Sequence, residues 1–168
     1  MKSIVWFCIF ALFVGNAYAD ADESGAPKMP SLKVQTLDGG AFELSAQKGK
    51  WVIVNYWATW CGPCVKEMPA LSAFVAAHDD VTAIGLAFED TDRADLEAFL
   101  KKRPVSYPIA QVDIDNPPLA FDVPRGLPMT YVIAPDGSIA KQFVGPINEK
   151  DLAKVTGHAL DQSKTSKP

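Results

Sequence analysis

Histidine and cysteine are scarce: 168 residues carry two of the first and three of the second. A structural zinc site wants four such ligands, and His78 and His158 stand far apart rather than at finger spacing. Positive charge is not in surplus either. Sixteen Lys and Arg against twenty Asp and Glu leave a net charge of −4, which argues against nucleic acid or an anionic membrane surface as partner. No Gly-x-Gly-x-x-Gly follows a strand-like run, so no dinucleotide cofactor is expected. The apolar stretch Ile4–Val14 is well short of the roughly 20 residues that a membrane helix needs. There is no internal repeat and no low-complexity tract.

Ile4–Val14 instead reads as the core of a cleavable secretory signal over residues 1–19, with Lys2 before it and the small-x-small site Ala17-Tyr18-Ala19 after it. An uncleaved anchor is the alternative. Residues 20–30 are small and polar with Pro27 and Pro30, a flexible leader. Residues 31–160 then form one domain, and residues 161–168 a disordered tail. Cleavage discards Cys8 and leaves only Cys61 and Cys64. An exported chain that keeps a single pair has not built a structural disulfide framework, so the pair points to chemistry.

The chain is organised around Trp51–Pro69, WVIVNYWATWCGPCVKEMP. Val52, Ile53, Val54, Tyr56 and Trp57 form the β-branched and aromatic run of a strand buried on both faces. Pro63 suits the first turn of a helix, where its missing N–H has no helical partner to lose. Cys61 then lies at the helix N-terminus, where unpaired N–H groups and the helix dipole favour a thiolate. The spacing brings both sulfurs within bridging reach. A permanent structural bridge is the alternative reading, but closing so short a loop removes little chain entropy.

Leu32–Thr36 and Ala41–Leu44 flank Asp38-Gly39-Gly40, a hairpin signal, and Gln47–Lys50 reads as a polar turn. Val65, Met68, Leu71 and Val75 recur at helical spacing through Ala77, with Pro69 expected to kink rather than end the helix. Val81–Phe88 is the next buried strand. Asp92 is a candidate N-cap for a helix carrying Leu96, Phe99 and Leu100, with Lys101, Lys102 and Arg103 suiting its C-terminus. Tyr107–Val112 is expected as an edge strand and Pro117–Phe121 as a turn of helix. Met129–Ala134 and Ser138–Val144 flank Pro135-Asp136-Gly137 as a second hairpin. Asn148 caps a last helix through Leu152, Val155 and Leu160, and both histidines fall near helix C-termini at the surface.

Trp60-Cys61-Gly62-Pro63-Cys64 at a strand-to-helix turn, with Gly126-Leu127-Pro128-Met129-Thr130 opening a later hairpin, resembles thioredoxin. The early hairpin, Asn55 and Glu67 resemble its TlpA/ResA/DsbE-type branch, over roughly residues 28–160. The resemblance implies an α/β thioredoxin fold: a central mixed β-sheet flanked by helices, with an extra N-terminal β-hairpin. It implies that Cys61 is the nucleophile and Cys64 the resolving thiol, and that a cis Leu127–Pro128 bond faces them. The Leu127 backbone would pair with an extended substrate, and Trp60, Gly62 and Pro63 would touch it. Glu67, three residues past Cys64, is a candidate for the proton that Cys64 exchanges, although a solvated glutamate explains it as well. Asn55 stands where thioredoxin carries a buried aspartate and reads as a core amide; Trp57 reads as core.

The function that follows is an exported, periplasmic thiol–disulfide oxidoreductase, monomeric and cofactor-free, that reduces disulfides of partner proteins. Members of this branch serve cytochrome c maturation or prepare the thiols of copper sites, so the implied partners are apocytochrome c or copper-site proteins, and a membrane thiol–disulfide electron donor. Two alternatives stay open: a disulfide-introducing oxidant, and a Cu(I) metallochaperone using Cys61, Cys64 and Met68 or Met129.

Overall fold

The computed structural model describes residues 30–159. The expected signal over residues 1–19, nearly all of the expected leader, the expected tail and Leu160 lie outside the described residues. Strand β3, Trp51–Trp57, is the centre of a five-stranded mixed sheet ordered β5–β4–β3–β6–β7. It pairs in parallel with β4, Val81–Phe88, and antiparallel with β6, Met129–Ile133. The edges are β5, Ile109–Val112, parallel to β4, and β7, Ile139–Val144, antiparallel to β6.

Alternate side chains of the central strands feed two cores. Ile53 and Trp57 of β3, with Val81, Ala83 and Ala87 of β4, pack under all three helices: α1, Gly62–Ala77; α2, Arg93–Lys102; and α3, Glu149–Thr156. Crossovers of one hand that progress in one direction put α1 and α2 on the same face. Val52, Val54 and Tyr56, with Ile84 and Leu86, face the other way. There Leu32, Phe42 and Leu44 close the sheet from the two-stranded hairpin of β1, Lys33–Gln35, and β2, Ala41–Glu43. The expected α/β architecture with an N-terminal hairpin is present, and both sides of β3 are buried as its composition demands.

Local departures have local reasons. Leu44–Gln47 winds into a 3₁₀ turn ahead of the expected polar turn, because Leu44 is anchored in the core and its N–H bonds to the Leu32 carbonyl. Asp92 sits at the N-cap of α2, yet its side chain makes no cap bond; its backbone carbonyl accepts from Asp95 and Leu96 instead. Pro117–Phe121 is irregular with one turn at Leu119–Ala120, not a turn of helix, since adjacent prolines remove two N–H donors. The last helix stops at Thr156. Gly157 takes φ 77° and donates to the Ala153 carbonyl, a left-handed C-terminal stop that ends α3 before Leu160. Its start is as expected: Asn148 and Asp151 close a capping box. No helix among the described residues is long and apolar enough to cross a membrane.

Candidate active site

Strand β3 ends at Trp57, and a turn over Thr59 and Trp60 delivers Cys61 to the N-cap of α1. Cys61 and Cys64 are joined as a disulfide with their Cα atoms 5.3 Å apart. The two sulfurs differ in access. Cys64 is 0% exposed and Cys61 5%, so the opening at Cys61 is narrower than its helix-terminal position suggests, yet it is the only one. Gly62 and Pro63 stand exposed beside it. The Cys64 N–H points at the Cys61 sulfur at 3.3 Å. Once the bridge is reduced, that N–H and the positive end of α1 stabilise negative charge on Cys61.

One turn past Cys64, on the same buried face of α1, Glu67 is enclosed. Its Oε1 accepts from Asn55 Nδ2 at 2.8 Å, and its Oε2 from the Ile147 N–H at 2.8 Å. The other Asn55 hydrogen goes to Thr130 Oγ1 at 3.0 Å, its neighbour in the β3–β6 register. Burial penalises the ionised carboxylate and pushes its pKa up to about 7, against the opposing pull of the Ile147 and Asn55 bonds. Asn55 is therefore a hydrogen-bonded core amide, as read from the sequence, and Glu67 is not a solvated one. The hydroxyl of Tyr107 is raised by its own burial and by the Glu67 charge. Asn55 Oδ1, Trp57 Nε1 and Tyr107 Oη are buried with no hydrogen-bond partner among the described residues.

The Leu127–Pro128 bond is cis, as the resemblance implies. Pro128 is buried and its carbonyl accepts from the Gly145 N–H at 2.9 Å. Leu127 packs against the cluster that contains both cysteines. Trp60 is 70% exposed, whereas Trp57 is fully buried, so the two tryptophans divide between surface and core. Trp60 and Leu127 share the wall of an open hollow of about 370 Å³ with Phe88, Glu89, Pro124 and Arg125.

Glu89 was not singled out by the sequence, where an acidic residue just past a strand reads as solvated. It is buried, and its carboxylate accepts from both the N–H and the hydroxyl of Thr59, each at 2.8 Å. The histidines, 80 residues apart in sequence, meet edge to face with ring centroids 4.3 Å apart, and His158 bonds to Asp80. They are half-buried rather than open, and His78 caps the far end of α1, about 25 Å along the helix from Cys61. Met68 and Met129 are packed in the two cores.

A family model described as AhpC/TSA matches residues 26–142. The chain is similar to the thiol-disulfide oxidoreductase ResA of Bacillus anthracis, 31% identical over 146 residues, with 85% of this chain and 83% of that protein covered. It is 30% identical over 153 residues to ResA of Bacillus subtilis, covering 87% and 83%. Its fold is similar to that of a thiol:disulfide interchange protein of the thioredoxin family from Chlorobium tepidum, with a TM-score of 0.68, 28% identity, and 79% of this chain and 95% of that chain covered.

Proposed function

The chain belongs to the AhpC/TSA family and, within it, to the ResA-type thiol–disulfide oxidoreductases; we propose that it works outside the cytoplasm in the reducing direction, on disulfides of partner proteins. The observation that carries the chemistry is the Cys61–Cys64 bridge at the start of α1, with Cys64 fully enclosed and Cys61 keeping a narrow exposure beside the open Gly62 and Pro63. In the reduced protein the Cys61 thiolate attacks one sulfur of a substrate disulfide and expels the other as a thiolate. A mixed disulfide joins the two proteins. Cys64 then loses its proton and attacks the Cys61 sulfur, which releases the second substrate thiolate and restores the Cys61–Cys64 bond. Two electrons pass to the substrate, whose sulfurs leave as two thiolates, and the one proton released is that of Cys64; no organic cofactor enters the balance.

Glu67 is suited to take the Cys64 proton, because a carboxyl near pKa 7 holds and yields protons at working pH. Trp60, Gly62 and Pro63, with Leu127 held by the buried Pro128 behind it, are the groups that an extended substrate segment meets beside Cys61. The signal read over residues 1–19 supports export. Recharging the dithiol then takes a thiol–disulfide donor at the membrane, and the family resemblance makes apocytochrome c and copper-site proteins the first substrates to test.

The test is capture. Cys64→Ser, expressed with its own leader, stops the reaction at the mixed disulfide and holds the substrate covalently. An exported protein with a reducible cysteine pair is the expected catch, and Cys61→Ser catches nothing. Trapping by Cys61→Ser but not by Cys64→Ser, or a catch of cytoplasmic proteins alone, overturns the reading.

A further inference from the structure

Glu89 is a buried carboxylate whose two oxygens both serve one residue, and that residue lies two positions before the reactive cysteine. A carboxylate in the interior is costly unless donors surround it, so the pairing with Thr59 holds both partners in place. Thr59 is the first corner of a turn closed by the Cys61 N–H on the Ala58 carbonyl at 3.2 Å, and Trp60 is its second corner. Pinning the first corner sets the direction in which the second projects. Trp60 projects into solvent, on the wall of the hollow that it shares with Leu127 and with Glu89 itself.

We propose that Glu89 is a positioning residue: by clamping Thr59 it sets how Trp60 stands beside Cys61, and so selects polypeptide disulfides over small ones. The inference rests on the disulfide exchange assigned above to Cys61 and deepens it. A small disulfide reaches the Cys61 sulfur without touching the hollow. A polypeptide has to lie along Trp60 and Leu127, and a misplaced indole obstructs it. The charge of Glu89 is incidental on this view, because an amide at the same position still accepts the Thr59 N–H and donates to the hydroxyl oxygen.

The experiment compares single-turnover reduction of two probes by the fully reduced protein: glutathione disulfide, and a short peptide closed by one disulfide. Glu89→Ala is expected to slow the peptide reaction about 10- to 100-fold while leaving glutathione disulfide within about twofold, as misplacement of a binding group does. Glu89→Gln restores most of the peptide rate. Thr59→Val, which keeps the backbone bond and loses the hydroxyl, shifts the ratio in the same direction as Glu89→Ala and decides the matter if the alanine variant does not fold. An unchanged ratio in Glu89→Ala or Thr59→Val, an equal loss on both probes, or a glutamine variant as impaired as the alanine one overturns the proposal. A wild-type protein that reduces neither probe overturns the exchange reaction instead.

Discussion

Asn55 and Glu67 are twelve residues apart in sequence and meet at 2.8 Å inside the core, amide nitrogen to carboxylate oxygen. The contact ties the middle of β3 to the active-site helix. The second oxygen of Glu67 ties that helix to the loop before α3 through the Ile147 N–H. One carboxylate thus holds three segments together, and it does so with a pKa raised from 4.5 to about 7.

Stability should fall with pH because of this group. The folded state holds the Glu67 proton up to about pH 7, whereas the unfolded chain releases it near 4.5. Between those values the native state binds more protons, so its advantage is full below 4.5 and is lost as pH rises through 7. The loss amounts to about 3 kcal/mol. Glu67→Gln should flatten this part of a urea-denaturation series run from pH 4 to 8. Asn55 can turn its side chain over and offer Oδ1, now without a partner, to the new amide hydrogen. The same variant should slow resolution of the mixed disulfide and remove a step near pH 7 from its rate profile. Wild-type slopes in both measurements would return Glu67 to a purely structural part.

Asn55→Asp puts a second carboxyl where the amide now donates. Two carboxyls at that distance cannot both ionise in a buried site, so they share one proton and their apparent pKa values split. The midpoint of the pH–stability curve should move upward by about a unit or more. A curve that superimposes on the wild-type one contradicts the placement of the pair.

Gly85 lies opposite Asn55 in the β3–β4 register. A Cβ there would clash with Ile109 Cδ1 and come within 3.1 Å of Trp57 Nε1 and 3.3 Å of Tyr107 Cε2. The isoleucine end can swing, but two ring systems packed in the core cannot both give way. Gly85→Ala should cost about 1–3 kcal/mol, read as a lower urea midpoint at unchanged m. Full stability in that variant would mean that the rings are looser than they stand here.

The redox midpoint should lie toward the reducing end of the range for this fold, from about −270 mV in thioredoxin to about −120 mV in DsbA. Whatever stabilises the Cys61 thiolate makes the protein more oxidising. Here that help is one N–H, from Cys64, and the end of α1, with no histidine between the cysteines. Equilibration against defined thiol–disulfide buffers measures the midpoint, and a value near the oxidising end makes the protein a disulfide donor.

What the sequence disclosed is what period and local chemistry carry. The run Val52–Trp57, the Cys-Gly-Pro-Cys turn and the Asn148 cap each announce themselves within a few residues, and each stands where it was expected. Glu67 stayed undecided between two readings because burial is a property of what packs above a helix, here β3 and the Ile147 loop. Glu89 was invisible for a related reason: its partner Thr59 is 30 residues away, and only the pairing of β3 with β4 brings them together. The edge-to-face histidines belong to the same class of long-range contact. The end of the last helix is a different case: apolar periodicity runs on to Leu160, whereas Gly157 marks the stop within the sequence itself.

Of the two cysteines only Cys61 keeps any exposure, and that is slight. Traffic through the molecule is therefore single file. In the proposed exchange, donor and recipient would use the same narrow door in turn, with no complex of all three proteins on the path. Steady-state kinetics take the ping-pong form, with parallel lines as one visitor is titrated against the other. A recipient in large excess crowds the door while the protein is still oxidised and delays its recharging. The ratio of donor to recipient in the compartment then acts as a throttle, and adding more of this protein relieves it only in proportion.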